Sequence, residues 1–218
     1  MENRLSEQEF VINNRRHLPH KQLTDCTLFI TWRIAFTLPD NILRELAEKR
    51  NQHFKDIKTI SPEEENIYRN EFALRHFAHF DNWIDKFEGC KYNLCIEPLT
   101  SIITDTLKYN DNRKYTISCY CIMPNHVHLI IKPLYKNDKE YYALDEIMHA
   151  IKNYSAHKIN KAVENKGHFW QNESYDRIIR DYIEYLKTVE YVVSNPVKAG
   201  LVDKWEDWKG TYICKDLR

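Results

Sequence analysis

The sequence predicts an α+β fold: a ferredoxin-like, split βαβ antiparallel sheet with helices on one face and a helical insertion between the first and second strands. Two observations predict it. Runs rich in β-branched and aromatic residues at 26–34, 115–122, 126–131 and 175–179 read as strands. Helical periodicity fills the gaps between the first and second and between the third and fourth, and one more helix follows, giving the order β-α-β-β-α-β and then α. That arrangement carries many unrelated activities, so function has to be read from side chains.

In chain order, Arg15-Arg16-His17-Leu18-Pro19-His20-Lys21 is a basic, proline-interrupted arm ahead of the first strand. Pro39-Asp40 opens a helix with Leu43, Leu46 and Ala47 at helical spacing. From about 51 to 95 the chain is charged and aromatic, with helical stretches such as Glu63 to Phe80 and no chemical motif, and reads as a helical insertion or an elongated connection. A helix is expected over Pro98 to Lys108. Met123-Pro124-Asn125 then breaks the strand ending at Ile122, and His126 to Ile131 returns as the second arm of a hairpin closed by Pro133. Tyr142 to Val163 is an amphipathic helix with Leu144, Ile147, Met148 and Ile151 on one side. The last helix is expected from Asp181 to about Ser194, with Asp181 and Glu184 spaced as a capping box and Pro196 just past its end.

Composition excludes several classes. Hydrophobic residues make up 43% and charged residues 29%, with only four glycines and seven prolines, which is a globular rather than a low-complexity chain. No apolar run approaches membrane-spanning length, and the first ten residues are too polar for a signal peptide, so a cytoplasmic protein is expected. The six cysteines form no C-x-x-C pair and are expected as thiols. Net charge is zero, so a nucleic-acid surface, if there is one, has to be a local patch.

The chemistry sits on two elements. His126 and His128 are two residues apart on a strand, so both imidazoles point to one face and can share a divalent ion. Two histidines on a polar sheet face give the same pattern. On the last helix, steps of about 100° put Tyr182, Tyr185, Leu186, Val189, Val192 and Val193 on one arc, expected to be the core face. The opposite, polar arc holds Glu184, Lys187, Thr188, Tyr191, Ser194 and Asn195. Tyr191 is the one aromatic residue there, unexplained by packing, and Asn195 is one turn later on the same side.

Met-Pro-Asn-His-Val-His at 123–128 resembles the HUH motif of the single-tyrosine transposases. Phe169-Trp170-Gln171, the run Tyr175-Asp176-Arg177-Ile178-Ile179-Arg180-Asp181, and Tyr191 to Gly200 with Asn195-Pro196 resemble the C-terminal half of the REP-associated tyrosine transposases. The arm at 15–20 is similar to their N-terminal stretch. The resemblance spans the arm, the first strand and roughly Tyr115 to Val202. It implies that 1–218 is a single HUH transposase-like domain with an insertion at about 51–95. Tyr191 would be the nucleophile, His126 and His128 metal ligands, and Asn195 the third ligand. It also implies an enzyme that cuts single-stranded DNA through a 5′-phosphotyrosine with Mg²⁺ or Mn²⁺. The expected substrates are palindromic repeats folded into hairpins, and the expected state is a monomer or a homodimer.

Supporting residues follow. Lys187, one turn before Tyr191, is placed to stabilise a phenolate, or is simply a solvated lysine. Arg15, Arg16, His17, Lys21, Lys152 and Lys158 are candidates for DNA contacts. His168 and Trp170 could stack on an unpaired base, although Trp170 also reads as core. Trp205 and Trp208 are expected to seal the core. Two rival readings remain open. Cys119, Cys121, His126 and His128 could form a structural zinc site in a non-enzymatic DNA-binding domain. Against that, Cys119 and Cys121 are expected on the strand face of Tyr115 and Ile117 as small buried hydrophobes. The other rival is an HUH replication initiator, a relaxase-type nuclease or a domesticated repeat processor. The tyrosine follows the histidine pair here, which favours the transposase order.

Overall fold

The computed structural model describes residues 26–36, 39–57, 59–87 and 89–217. Arg15, Arg16, His17 and Lys21 lie outside the described residues. In chain order the elements are β1 (Thr27–Arg33), α1 (Asp40–Ile57), α2 (Pro62–Asp85), α3 (Leu99–Asn110), β2 (Tyr115–Ile122), β3 (His126–Pro133) and β4 (Tyr135–Asn137). They continue with β5 (Glu140–Tyr141), α4 (Leu144–Ala162), β6 (Tyr175–Ile179), α5 (Tyr182–Lys198) and β7 (Thr211–Ile213). Among the described residues no helix is long and apolar enough to cross a membrane.

The chain divides into two compact units. One contains residues 36–87. Within it α1 packs on α2: the His53 and Phe72 rings stack with centroids 3.6 Å apart, and the Tyr68 hydroxyl donates to Asp56 at 2.9 Å. This unit differs from the expected insertion at about 51–95 at both ends. It takes in all of α1, because α1 packs on α2. It stops before Leu94, whose backbone N–H bonds to Pro124 O and ties that stretch to the hairpin turn.

The other unit is built on a five-stranded antiparallel sheet ordered β6-β1-β3-β2-β7. Its first four strands have the split βαβ order. On one face Leu28, Ile30, Trp32, Val127, Leu129 and Ile131 are buried. The Tyr115 hydroxyl donates to Leu107 O of α3 on that face, and Trp170, edge-on to Trp32, donates its indole N–H to Ser155 of α4. The side of α4 expected from its periodicity, Leu144, Ile147, Met148 and Ile151, is the buried one. Each such side chain contributes about 1.5–3 kcal/mol through burial.

The expected one-sided arrangement holds for α3 and α4, which pack on each other. The last helix, α5, covers the opposite face, where Phe29 and His128 meet Tyr191. Pro196 lies inside α5 rather than beyond it. It falls in the last turn, where one missing N–H costs only a single intrahelical bond.

A β-bulge between Ile117 and Cys119 corrects the expected facing of the cysteines. One extra residue reverses the alternation. Cys119 and Cys121 therefore leave the face of Tyr115 and Ile117, and Cys121 pairs directly with His128. The edge strand β7 was not expected, being only three residues long. Gly210 lets it approach β2, since a Cβ there would sit 2.6 Å from Ile122 O. Trp208 donates its indole N–H to the same carbonyl, and both Trp205 and Trp208, expected to seal the core, are half-buried.

Candidate active site

The turn at Met123-Pro124-Asn125 starts β3 at His126, and strand alternation then turns His126 and His128 to the α5 face. Both are buried. Their Nε2 atoms are 2.9 Å apart. Each Nδ1 is anchored: His126 to Asn125 Oδ1 and His128 to Thr31 Oγ1, both at 2.7 Å. Register explains the second anchor, because Thr31 pairs directly with His128.

These partners limit the tautomers. It is the side-chain oxygen of Asn125 that lies 2.7 Å from His126 Nδ1. An amide oxygen only accepts, so His126 carries its proton on Nδ1 and presents the Nε2 lone pair. Thr31 can donate or accept. His128 can therefore donate Nε2–H to His126, or turn its own Nε2 lone pair inward while Nδ1–H bonds Thr31. The second state fits a shared divalent ion. Two adjacent ligands about 2.1 Å from one ion and at right angles lie about 3 Å apart, close to the spacing seen. His128 is held neutral, pushed down to about 3 by burial and then by the charge of Lys198. A neutral imidazole is the form that ligates.

Helix α5 brings the phenol. Asp181 caps it by accepting from Glu184 N at 2.8 Å, and Glu184 in turn accepts from Arg180 N at 2.9 Å. Arg177 of β6 bonds Glu184 and donates to Thr188 Oγ1 at 2.9 Å. This fastens the polar stripe of α5 to the sheet, so the expected facing of the helix is rotated. Thr188 and Asn195 are buried, whereas Tyr182, expected in the core, is 68% exposed and Leu186 is exposed as well. These polar side chains can point inward because each is bonded there, Thr188 to the Arg177 guanidinium and Asn195 to the Tyr191 carbonyl. Val189, Val192 and Val193 are buried as expected.

Tyr191 is half-buried, with its ring edge-on to His128 at a centroid distance of 5.8 Å and to Phe29 at 6.0 Å. Asn195, one turn on, donates its amide nitrogen to Tyr191 O at 2.9 Å, which keeps its amide oxygen as an acceptor. The cation over the Tyr191 ring is Lys198, with Nζ 4.4 Å from the centroid. Lys187, weighed for that role against a solvated lysine, is exposed. Seven residues make about two helical turns, so Lys198 was legible as a neighbour of Tyr191 once α5 was known to run past Pro196.

Other expected contacts are redistributed. Lys152 Nζ bonds the carbonyls of Gln171, Asn172 and Glu173 at 2.9–3.2 Å, which takes up all three ammonium protons and leaves none for a phosphate. Trp170 is buried and bonded to Ser155, so it is core and offers no ring face to a base. His168 is exposed at a cavity of about 390 Å³, and Lys158 is exposed beside Tyr154. Neither Cys119 nor Cys121 joins the two imidazoles among ligand atoms within 4.8 Å of one another, so the four-residue zinc site is not assembled. Asn125, Thr31 and Arg177 were missed. Asn125 adjoins the pair in sequence, but Thr31 and Arg177 become partners only through strand register.

Residues 93–195 match the family model described as transposase IS200-like. Over this span the chain is similar to that family. The span is just under half of the 218 residues and holds His126, His128, Tyr191 and Asn195. Among curated proteins, a Haemophilus influenzae chain provisionally named REP-associated tyrosine transposase is 27% identical over 104 residues, covering 45% of this chain and 58% of the relative. The REP-associated tyrosine transposase of Escherichia coli K12 is 26% identical over 111 residues, covering 51% and 62%. The chain thus spans about three fifths of the length of these relatives. A solved structure of a REP-associated tyrosine transposase bound to a REP hairpin aligns with a TM-score of 0.51 at 16% identity, over 86% of this chain and 76% of that one. That likeness is one of fold.

Proposed function

We propose that this chain cuts and rejoins single-stranded DNA as a single-tyrosine transposase, with Tyr191 as nucleophile. The observation that carries the reading is the juxtaposition of the Tyr191 ring with the His128 imidazole, whose Nε2 converges with that of His126 to 2.9 Å. His126 and His128, with Asn195 Oδ1 as third donor, would hold Mg²⁺ or Mn²⁺. That ion supplies charge neutralisation at the scissile phosphate.

Tyr191 Oη attacks phosphorus and forms a P–O bond. The opposite P–O bond breaks, and the departing oxygen takes a proton to become a 3′-hydroxyl, leaving a 5′-phosphotyrosine. The phosphodiester energy is kept in the covalent link, so a second 3′-hydroxyl reverses the step on a new strand without ATP. Lys198 favours the phenolate by placing a positive charge against the ring. Arg177 and Asp181 hold α5 so that the phenol keeps its approach to the imidazoles. A DNA hairpin is the proposed substrate, because the structural neighbour was solved with one. The cytoplasm, where unpaired chromosomal strands arise, is the proposed location.

Incubation with a labelled single-stranded hairpin oligonucleotide and Mn²⁺ should give a denaturant-resistant adduct. The adduct should be absent in Tyr191→Phe. An adduct that persists in that variant overturns the reading.

A further inference from the structure

The loop before β2 and the β4–β5 hairpin form an aromatic and cationic surface that the site does not use. Between Lys108 and Tyr142 there are six lysines and arginines against three carboxylates, in a chain whose net charge is zero. The two pieces are tied together: Leu134 N bonds Lys114 O and Tyr142 N bonds Leu134 O, each at 2.9 Å. Tyr135 stacks on Tyr141 with centroids 3.9 Å apart yet is 61% exposed, so one face of its ring is open to solvent. Arg113 lies over the ring of Tyr109, itself 64% exposed, at 4.3 Å, and Lys114 and Lys136 lie 5.2 and 5.9 Å from the Tyr142 centroid. Lys136 is partly spent on Glu146 at 2.6 Å. Arg113, Lys114 and Lys139 remain as cations around the exposed rings.

We infer that this surface is a second contact for single-stranded nucleic acid, one in which an unpaired base stacks on Tyr135 and the flanking phosphates lie against Arg113, Lys114 and Lys139. A preformed pair of rings with one open face suits a π-face better than it suits a hydrogen-bonded base edge, so the contact tolerates any sequence. The surface lies at the far end of β3 from the imidazoles. Five residues separate His128 from Pro133, about 17 Å at strand rise. Lys132 falls on the same sheet face as His126 and His128 by alternation, between the two places. A strand whose scissile phosphate sits at Tyr191 would thus be held at a distance along the same polymer. The inference rests on the nucleic-acid reading above for the identity of the polymer, but not on cleavage.

The test is fluorescence anisotropy of labelled oligothymidylate with a chelator present and in the Tyr191→Phe background, so that binding is read without chemistry. Tyr135→Ala should weaken binding about ten-fold, and Tyr135→Phe, which keeps the stack, should bind as the parent does. Arg113→Gln with Lys114→Gln should lower the salt dependence of log K by about 0.7 per cation removed. Unchanged binding in Tyr135→Ala overturns the inference, as does a Tyr135→Phe loss as large as that of Tyr135→Ala. An equal loss of heparin binding in Tyr135→Ala also overturns it, by marking a general polyanion surface. If cleavage fails while these binding differences hold, the function reading falls and this one stands.

Discussion

Thr31→Val removes one hydroxyl and leaves shape and strand preference almost intact, since valine suits the interior of β1 at least as well as threonine. The hydroxyl is 2.7 Å from His128 Nδ1, and both groups are buried. Without it a buried imidazole nitrogen has no partner, which costs about 1–3 kcal/mol of stability. The effect on metal affinity follows from the tautomers. A cation on Nε2 polarises the ring and makes Nδ1–H a stronger donor, so the Thr31 bond is worth more in the loaded site than in the empty one. Loss of such an anchor typically weakens a site 10- to 100-fold. Calorimetric titration with Mn²⁺ should show that drop alongside a modest fall in the unfolding midpoint. Thr31→Ser, which keeps the hydroxyl, should recover most of the affinity. Wild-type Mn²⁺ affinity in a folded Thr31→Val protein would refute the anchoring argument.

Other outcomes follow from the same geometry. His128 is depressed from its ordinary 6.5 to about 3, so the unfolded chain binds the extra proton first, and stability is present above pH 6.5 and is lost as pH falls toward 3. Chemical denaturation of metal-depleted protein should lose about 2 kcal/mol of stability from this group between pH 6.5 and pH 5, and His128→Gln should flatten that slope. Lys198→Met should slow adduct formation and move its pH dependence upward, whereas Lys187→Met should leave both unchanged; the reverse pattern would restore Lys187. Lys152→Met removes three hydrogen bonds to the 171–173 carbonyls and should destabilise the fold by about 2–3 kcal/mol in urea denaturation. Its oligonucleotide affinity should not change, and a selective affinity loss would return Lys152 to the DNA surface.

Much of this was legible in local sequence. Strands β2 and β6 and the buried side of α4 follow from periodicity and turn chemistry, which act over a few residues. The histidine pair was legible for the same reason, because strand alternation alone puts both imidazoles on one face. The facing of α5 was not. A helical wheel assigns polar residues to solvent, but Arg177 bonds Thr188 and the Tyr191 ring meets His128, while Asn195 bonds the Tyr191 carbonyl, so these residues turn inward. The cysteine faces were misread because a single bulge residue between Ile117 and Cys119 reverses every side chain after it. Lys152 looked functional by type, and Trp170 was open to a stacking or a core reading. Only the path of the 167–174 segment over α4 shows that each is bonded within the fold.

The most direct measurement is mass spectrometry of the covalent adduct. Protein incubated with a hairpin oligonucleotide and Mn²⁺ is digested with nuclease and protease, and the nucleotide-bearing peptide is sequenced. A 5′-phosphate on Tyr191 is the expected result. Attachment at Tyr182 or Tyr185, or oligonucleotide cleaved without any tyrosine adduct, would contradict the account.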